Sequence, residues 1–226
     1  MRPGGHSEAV EMYLKSLAVL GGAERHVTST SLAQRLGVTV AAVSEMLRRL
    51  LREGLVTHEP YHGYLLTDEG RAGAWDVIRR DRVWERFLVD HLDLDPIAST
   101  AWACLLEHAT SPEVIEALDA YLGHPATCPR GLPIPRSPDD PVRPSERTLA
   151  DVEPGEQVRV VAFEDEDPEV LRYLRAHGLV IGTAVRVTEV GPRRSVFEVA
   201  HELGSAAIGA EVASGIHITS VAEGVA

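Results

Sequence analysis

The chain has 226 residues, of which 44% are hydrophobic and 25% are charged, as is usual for a globular protein. It contains no run of about 18 apolar residues, so the sequence excludes a transmembrane helix. The formal net charge of −12 disfavours polyanionic partners, yet residues 1–76 hold 8 Lys or Arg against 9 Asp or Glu. This nearly neutral part can still present a basic face to DNA.

Two features favour the cytoplasm. The first residues lack the apolar stretch that is typical of a secretory signal. The two cysteines, Cys104 and Cys128, are too few to form a disulfide scaffold in a chain of this size. We therefore expect a cytoplasmic protein with free thiols.

The beginning of the chain has the pattern of a helix-turn-helix. Residues 8–20 have the apolar spacing of a helix. Ser29 or Thr30 is expected to cap a second, short helix that Gly37 ends. Thr39 is expected to cap a third helix. Two helices joined by a short turn form the helix-turn-helix motif.

A wing and an exposed helix face favour DNA binding. Two short strands are predicted around a turn at His62-Gly63, and such a hairpin adds exposed surface beyond what a core requires. The alternative, a three-helix packing unit that binds nothing, stays open. Small and polar side chains on the third helix can approach a DNA groove, and arginines can contact phosphates. These candidate DNA-binding residues are Thr39, Ala41, Ala42, Ser44, Glu45, Arg48 and Arg49.

Three further helices precede a change in composition. Their predicted bounds are Thr67 to about Leu92, Asp95 to His108, and Ser111 to about Gly123. Residues 124–148 then contain seven prolines and few large apolar residues, so we predict a linker rather than core. Beyond it the apolar period approaches two, which predicts a small β-barrel with one helical insert. The predicted strands are 157–163, 184–190, 195–200 and 216–221, and the insert is 168–178.

Cys104, Glu107 and His108 share one face of a predicted helix, at spacings i, i+3 and i+4. All three side chains are ligands for divalent transition metals. A buried cysteine that acts only as a small hydrophobe, next to a solvated Glu-His pair, is the competing interpretation. A catalytic thiol is less favoured, because one helix leaves little room for an orienting third group.

Two acidic groups could hold a second cation. Asp81 and Glu85 are one helical turn apart, and they could equally pair with Arg82 or Arg86. The stretch 163–169 is rich in acids and is usually a solvated turn, although it could close over a metal.

In this order along the chain, the motifs resemble the diphtheria toxin repressor family of metal-dependent transcriptional regulators. The resemblance covers nearly the whole chain. It depends on the helix-turn-helix together with EMYL (11–14), REGLV (52–56), LTDEGR (66–71), CxxEH (104–108) and CPRGLPIP (128–135). The last 75 or so residues look like the SH3-like, FeoA-type domain of these repressors.

The resemblance implies two metal sites. The primary site would combine Met12 of the first helix with Cys104, Glu107 and His108, a set similar to that of the iron-responsive members. The ancillary site departs from their His, Glu and His pattern, since Asp81, Glu85 and Thr100 stand at the matching positions. Further ancillary oxygens could come from Glu166, Asp167 and Glu169, because the family's SH3-like domain supplies ligands near Asp167 and Val170.

The combined expectation is an α+β protein. We predict a winged helix-turn-helix at 1–74, a helical dimerisation and metal-binding domain at 75–135, a proline-rich linker at 136–148, and an SH3-like domain at 149–226. The resemblance implies a homodimeric repressor of metal-uptake genes that is not an enzyme. Mn²⁺ or Fe²⁺ would activate it, with Co²⁺, Ni²⁺ or Zn²⁺ as substitutes.

The expected partner of this homodimer is a palindromic double-stranded DNA operator, with neither a membrane nor a small organic substrate. Two alternatives stay open: a metal-independent winged-helix regulator, and a small metalloenzyme.

Overall fold

The computed structural model describes residues 6–144 and 147–221. No helix within these residues is both long enough and apolar enough to cross a membrane. The helices in chain order are α1 (Glu8–Val19), α2 (Ser29–Leu36), α3 (Val40–Arg52), α4 (Asp68–Asp90), α5 (Pro96–Ala109), α6 (Pro112–Tyr121), α7 (Pro168–Ala176) and α8 (Ala210–Ser214). The strands are β1 (Val56–Glu59), β2 (Gly63–Leu66), β3 (Gln157–Phe163), β4 (Ala184–Val190), β5 (Val196–His201), β6 (Gly204–Gly209) and β7 (Ile216–Ser220).

The chain forms two compact units. The first comprises the described residues up to Phe87 together with Ala103–Ala126 and Ile134–Val142. The second comprises Leu88–Trp102, Thr127–Pro133 and the described residues from Arg143 onward.

The core of the first unit is the winged helix. Leu14 of α1, Leu32 of α2 and Leu47 of α3 are all fully buried in one apolar cluster. The turn between α2 and α3 is closed by Gly37, whose φ of 64° is left-handed, and Thr39 caps α3 by accepting a hydrogen bond from the Ala42 amide. Both predictions are confirmed.

The predicted cap of α2 was wrong by one or two residues. Thr28, rather than Ser29 or Thr30, is the N-cap, and its hydroxyl accepts a hydrogen bond from the Ser31 amide at 3.1 Å. The sequence runs Thr-Ser-Thr-Ser at this point, and each of these side chains can cap a helix equally well. Pairing of the preceding Val27 with Tyr64 fixes which residue lies at the helix start.

The wing is an antiparallel hairpin of β1 and β2, as predicted. Gly63 begins β2 with a φ of 124°, and a Cβ atom there would lie 2.5 Å from the Val27 carbonyl oxygen. Only glycine allows this close approach of the wing to the chain before α2. Tyr61 stands fully exposed at the tip.

The long helices begin where their capping residues predict. The Thr67 hydroxyl accepts from the Gly70 amide at the start of α4, and the Asp95 carboxylate accepts from the Ile97 amide at the start of α5. Asp119 of α6 is buried and binds Arg79 of α4 at 3.0 Å and Arg136 at 3.4 Å. Burial would raise the pKa of Asp119, but hydrogen bonds from His124 and Arg79 and the charge of Arg136 hold it below its usual range.

The prediction that residues 124–148 avoid the core was wrong for several of them. Leu132 and Ile134 are almost fully buried, and so is Cys128, whose amide donates to the Leu132 carbonyl. Val142 belongs to the apolar cluster of the first unit. Proline content predicts the missing regular structure here, but it says little about burial, which is decided by the isolated apolar residues between the prolines.

The second unit contains a five-stranded antiparallel sheet in the order β6-β5-β4-β3-β7. Alternate residues of its strands, such as Val158 and Val160 of β3, point into one apolar cluster. The four predicted strands and α7 are present, whereas β6 and α8 were missed. The sequence of β6, Gly-Ser-Ala-Ala-Ile-Gly, has a single large apolar residue and therefore no visible alternation.

Candidate metal centre

The three side chains of the CxxEH motif come together on α5. One ligand atom each from Cys104, Glu107 and His108 lies within 4.8 Å of the other two. Among the described residues no other group of three or more His, Cys, Asp or Glu side chains was found so close together. Glu107 is fully buried and the other two are partly buried. The spacing i, i+3, i+4 on a regular helix is what places them on one face.

His108 is oriented by a carboxylate of α1. Its Nδ1 atom lies 2.6 Å from Glu11 Oε2. Because an ionised carboxylate can only accept, Nδ1 carries a proton and donates it to Glu11, so Nε2 is the nitrogen that a metal ion could bind. Nε2 lies 3.2 Å from Glu107 Oε1, on the side of the other candidate ligands. A carboxylate that holds the distal imidazole N–H in this way is the usual outer support of a metal-binding histidine.

Glu11 is charged although it is buried. Burial by itself would raise the pKa of this carboxyl group, but the hydrogen bonds from His108 and Arg80 outweigh burial and hold the pKa below its usual range. Arg80 Nη2 donates to Glu11 Oε1 at 2.8 Å and also contacts Asp76 at 3.0 Å. Arg80 Nη1 donates to the backbone carbonyl of Glu107. One buried guanidinium therefore ties α1, α4 and α5 together.

A second charged side chain of α1 reaches the same place. Lys15 is 4% exposed, and its Nζ lies 2.9 Å from Asp81 Oδ2. The same nitrogen lies 3.2 Å from Glu107 Oε2 and 3.4 Å from Oε1. Helix α1 thus contacts the centre through two residues one turn apart, Glu11 and Lys15.

Sequence reasoning missed Glu11, Lys15 and Arg80. It singled out Met12 on α1, which is partly buried in the structure and stays a predicted ligand. The sequence did contain a sign of Glu11 and Lys15. Both lie on the same helical face as Val10, Leu14 and Ala18, a face that is otherwise apolar. Charged residues on the buried face of a helix require buried partners.

The predicted ancillary residues lie in both units. Asp81 and Glu85 are buried on α4, each 1% exposed. In the second unit, Asp167 caps α7 by accepting from the Glu169 amide at 2.7 Å, and Glu166 Oε1 lies 3.5 Å from Arg130 Nη2. These acids remain predicted ligands. Thr100 of α5 is buried, and its hydroxyl donates to the Pro96 carbonyl of its own helix.

Helix α3 exposes most of the residues that were predicted to meet DNA. Ala41, Ala42, Glu45 and Arg48 are exposed, as is the cap Thr39. Ser44 donates its hydroxyl proton to the Val40 carbonyl at 2.8 Å, and Arg49 is paired with Glu53 at 2.7 Å. Arg48, which follows the first two turns, is exposed on this helix.

The donor set of the α5 cluster suits a borderline divalent cation. A thiolate, a carboxylate and a neutral imidazole together match Fe²⁺, Co²⁺, Ni²⁺ and Zn²⁺, and the oxygen and nitrogen donors also suit Mn²⁺. The Nδ1 proton held by Glu11 keeps the imidazole in the tautomer that such an ion needs. The residues present therefore fit a divalent metal.

Comparison with known families agrees with this chemistry. Three family models match successive parts of the chain. Residues 6–64 match the iron dependent repressor, N-terminal DNA binding domain. Residues 67–136 match the iron dependent repressor, metal binding and dimerisation domain, and residues 147–220 match the FeoA domain.

The sequences of individual relatives align with most of the chain. A diphtheria toxin repressor from Corynebacterium efficiens is 32% identical over 80% of this chain and 83% of its own length. The iron-dependent repressor IdeR of Mycobacterium leprae is 32% identical over 84% of this chain and 87% of its own length.

Solved structures extend the likeness to three dimensions. A manganese-dependent transcriptional repressor in complex with manganese superposes with a TM-score of 0.80, at 32% identity over 94% of this chain and all of that one. ScaR with bound Zn²⁺ gives a TM-score of 0.82 at 29% identity over 94% and 99% of the two chains.

Proposed function

This chain belongs to the diphtheria toxin repressor family of metal-dependent transcriptional repressors, and from that premise we propose how its metal and DNA functions are connected. The protein is a DNA-binding repressor that a divalent cation activates. Cys104, Glu107 and His108 hold the cation, and Met12 completes the set from α1. The ion supplies positive charge that fixes α1 against α5.

The observation that carries the proposal is the contact of α1 with the centre. Leu14 lies in the core of the winged helix, while Glu11 on the same helix binds His108 at 2.6 Å. A helix that belongs to the DNA-binding core and touches a candidate ligand joins the two functions mechanically. A cation that prefers one position of α1 favours the corresponding DNA-binding state by its differential affinity.

Mn²⁺ or Fe²⁺ is the activating ion in this proposal. Relatives are named iron-dependent repressors, and structural neighbours are named for manganese, Zn²⁺ and Cd²⁺. The sulfur of Cys104 favours Fe²⁺ over Mn²⁺, because thiolates are soft ligands. Co²⁺, Ni²⁺ and Zn²⁺ are expected to substitute.

The DNA partner in the proposal is a palindromic operator read by a homodimer. A twofold dimer places two recognition helices on two half-sites, so the operator mirrors its symmetry. The proposed function is regulatory rather than enzymatic. It is carried out in the cytoplasm, where the DNA lies, and the proposed targets are metal-uptake genes. The domain bounds predicted from the sequence, at residues 74, 135 and 148, are part of this proposal.

Operator affinity tests the proposal. Operators are first selected from random DNA with the Mn²⁺-loaded protein, and their affinity is then measured with Mn²⁺, with anaerobic Fe²⁺ and with a chelator. Coupling of about 1–3 kcal/mol is usual for such switches, so the chelator should weaken binding by about 5- to 150-fold. Equal affinity in all three conditions would instead identify a metal-independent winged-helix regulator.

A matched cysteine pair assigns the effect to the centre. Cys104→Ala should remove the thiolate-to-metal absorption band of the Co²⁺-loaded protein and weaken metal-dependent operator binding. Cys128→Ala removes the other, buried thiol and should leave both properties in place. A cobalt–thiolate band that survives in Cys104→Ala but disappears in Cys128→Ala would place the metal elsewhere.

A further inference from the structure

Lys15 is the only lysine of the chain, since 21 of the 22 basic residues are arginines. It is also almost completely buried, at 4% exposure. The ammonium of this single lysine lies within 3.2 Å of oxygens from two carboxylates, those of Asp81 and Glu107.

Because Asp81 and Glu107 are both buried, their carboxylates need a cation between them. Asp81 is 1% exposed and Glu107 is fully buried. Two carboxylates that share a buried site repel each other and cannot both stay ionised without a cation between them. The cost of removing an ammonium from water is several kcal/mol as well, and it is offset only when the partners are charged and well placed.

The shape of the cation also matters. An ammonium is a compact point charge with three donors, whereas a guanidinium is a wide planar fork. Between Asp81 Oδ2 at 2.9 Å and Glu107 Oε2 at 3.2 Å, the ammonium nitrogen bridges two carboxylates as a small metal ion would. Arg80, only one residue before Asp81, instead binds Glu11 and a backbone carbonyl.

We propose that Lys15 is a tethered cation that takes the place of a second metal ion between Asp81 and Glu107. This inference rests on the proposed function, because it assumes that Cys104, Glu107 and His108 bind a cation. Because Lys15 withdraws Asp81 from the predicted ancillary site, each protomer then takes up one divalent ion. Glu107 is shared by the two cations, since Oε1 faces His108 Nε2 at 3.2 Å and Oε2 faces Lys15.

Asp81 then pairs with Lys15 instead of with a metal ion. The sequence suggested Asp81 as an ancillary metal ligand, whereas here its cation is supplied by the protein itself. Lys15 thus determines how many ions bind. The exchangeable metal ion is confined to the side of Glu107 that faces Cys104 and His108.

Metal counting tests the proposal directly. The full chain and its variants are dialysed against saturating Mn²⁺ and, separately, Zn²⁺, and bound metal is measured by elemental analysis. Wild type should bind one ion per protomer. Lys15→Ala should bind two, and Lys15→Ala combined with Asp81→Asn should bind one again.

Asp81→Asn alone keeps the test decisive if Lys15→Ala does not fold. The count should stay at one in this variant, because Asp81 serves the ammonium and not a metal. A wild-type count of two that falls to one in Asp81→Asn would overturn the proposal for Lys15 and leave the metal-activated function intact. A wild-type count of zero would contradict the proposed function itself.

The single lysine permits a second readout that does not depend on metal counting. Protein labelled with ¹⁵N at the lysine Nζ should give one side-chain NMR signal, with slow solvent exchange because the ammonium is buried. That signal should persist when the diamagnetic ion Zn²⁺ is added to saturation. Fast exchange in the Zn²⁺-loaded protein would show that the metal displaces Lys15, which contradicts the proposal.

Discussion

At the scale of single residues, the candidate centre depends on an outer carboxylate that no motif predicts. The CxxEH spacing was sufficient to bring Cys104, Glu107 and His108 to one face, because helix geometry is local. The partners from α1 could not be derived in this way, since the distance between α1 and α5 in the fold is set by packing. The family resemblance placed Met12 of α1 at this centre, and the unusual burial of charge at Glu11 and Lys15 indicates that α1 supplies further partners.

Glu11→Gln should weaken metal binding without removing a ligand. The amide cannot hold the Nδ1 proton of His108 as strongly as the carboxylate, which accepts at 2.6 Å. Loss of such an outer partner usually lowers metal affinity about 10- to 100-fold, and a Co²⁺ titration would measure it. Glu8→Gln, an exposed change on the same helix, is the control. Equal Co²⁺ affinities in the two variants would show that Glu11 does not support the histidine.

At the scale of elements, the sequence predicted those parts that local chemistry decides. Thr39, Thr67 and Asp95 cap the helices they were expected to cap. The errors fell where long-range contacts decide. The edge strand β6 is recognisable only by its pairing with β5, and the proline-rich segment contains buried residues such as Leu132 because the rest of the fold covers them.

The wing contains a backbone position, Gly63, that tolerates little change. Gly63→Ala should destabilise the protein by about 1–3 kcal/mol, because residues other than glycine are strained at this φ and the new Cβ would lie 2.5 Å from the Val27 carbonyl oxygen. Thermal unfolding measures this loss, and operator affinity should fall as the wing is displaced.

Gly37→Ala is the matched control for the wing. Gly37 also has a positive φ, of 64°, but a Cβ there would meet nothing within 4 Å. Its cost should be smaller than that of Gly63→Ala. If Gly37→Ala lost more unfolding free energy than Gly63→Ala, the cost at Gly63 would have to be attributed to the positive φ rather than to the contact with Val27.

At the scale of the whole molecule, α5 exposes two large apolar side chains that do not belong to the metal-binding cluster. Trp102 is 54% exposed and Leu105 is 65% exposed, at an i, i+3 spacing. Large apolar side chains in such a row mark an interaction surface. The matching family model describes this part of the chain as a metal binding and dimerisation domain, so a second copy of the chain is the expected partner.

Leu105→Glu should therefore weaken the dimer. A charge placed in the centre of an apolar interface costs about 2 kcal/mol or more, which corresponds to a dimer dissociation constant raised roughly 30-fold. Sedimentation equilibrium measures it, and operator affinity should decrease in parallel because both half-sites are no longer held. Leu203→Glu, at the 84% exposed Leu203 of the second unit, provides the control. An unchanged dimer in Leu105→Glu would exclude this face.

The central claim is that the cation at Cys104, Glu107 and His108 and the operator DNA stabilise one common state. Coupling between two ligands is reciprocal, so each must change the affinity of the other by the same factor. The most direct measurement is the affinity for Mn²⁺ in the presence and in the absence of saturating operator DNA. We predict that operator DNA tightens Mn²⁺ binding by the same factor by which Mn²⁺ tightens operator binding. A Mn²⁺ affinity that operator DNA leaves unchanged would contradict this coupling.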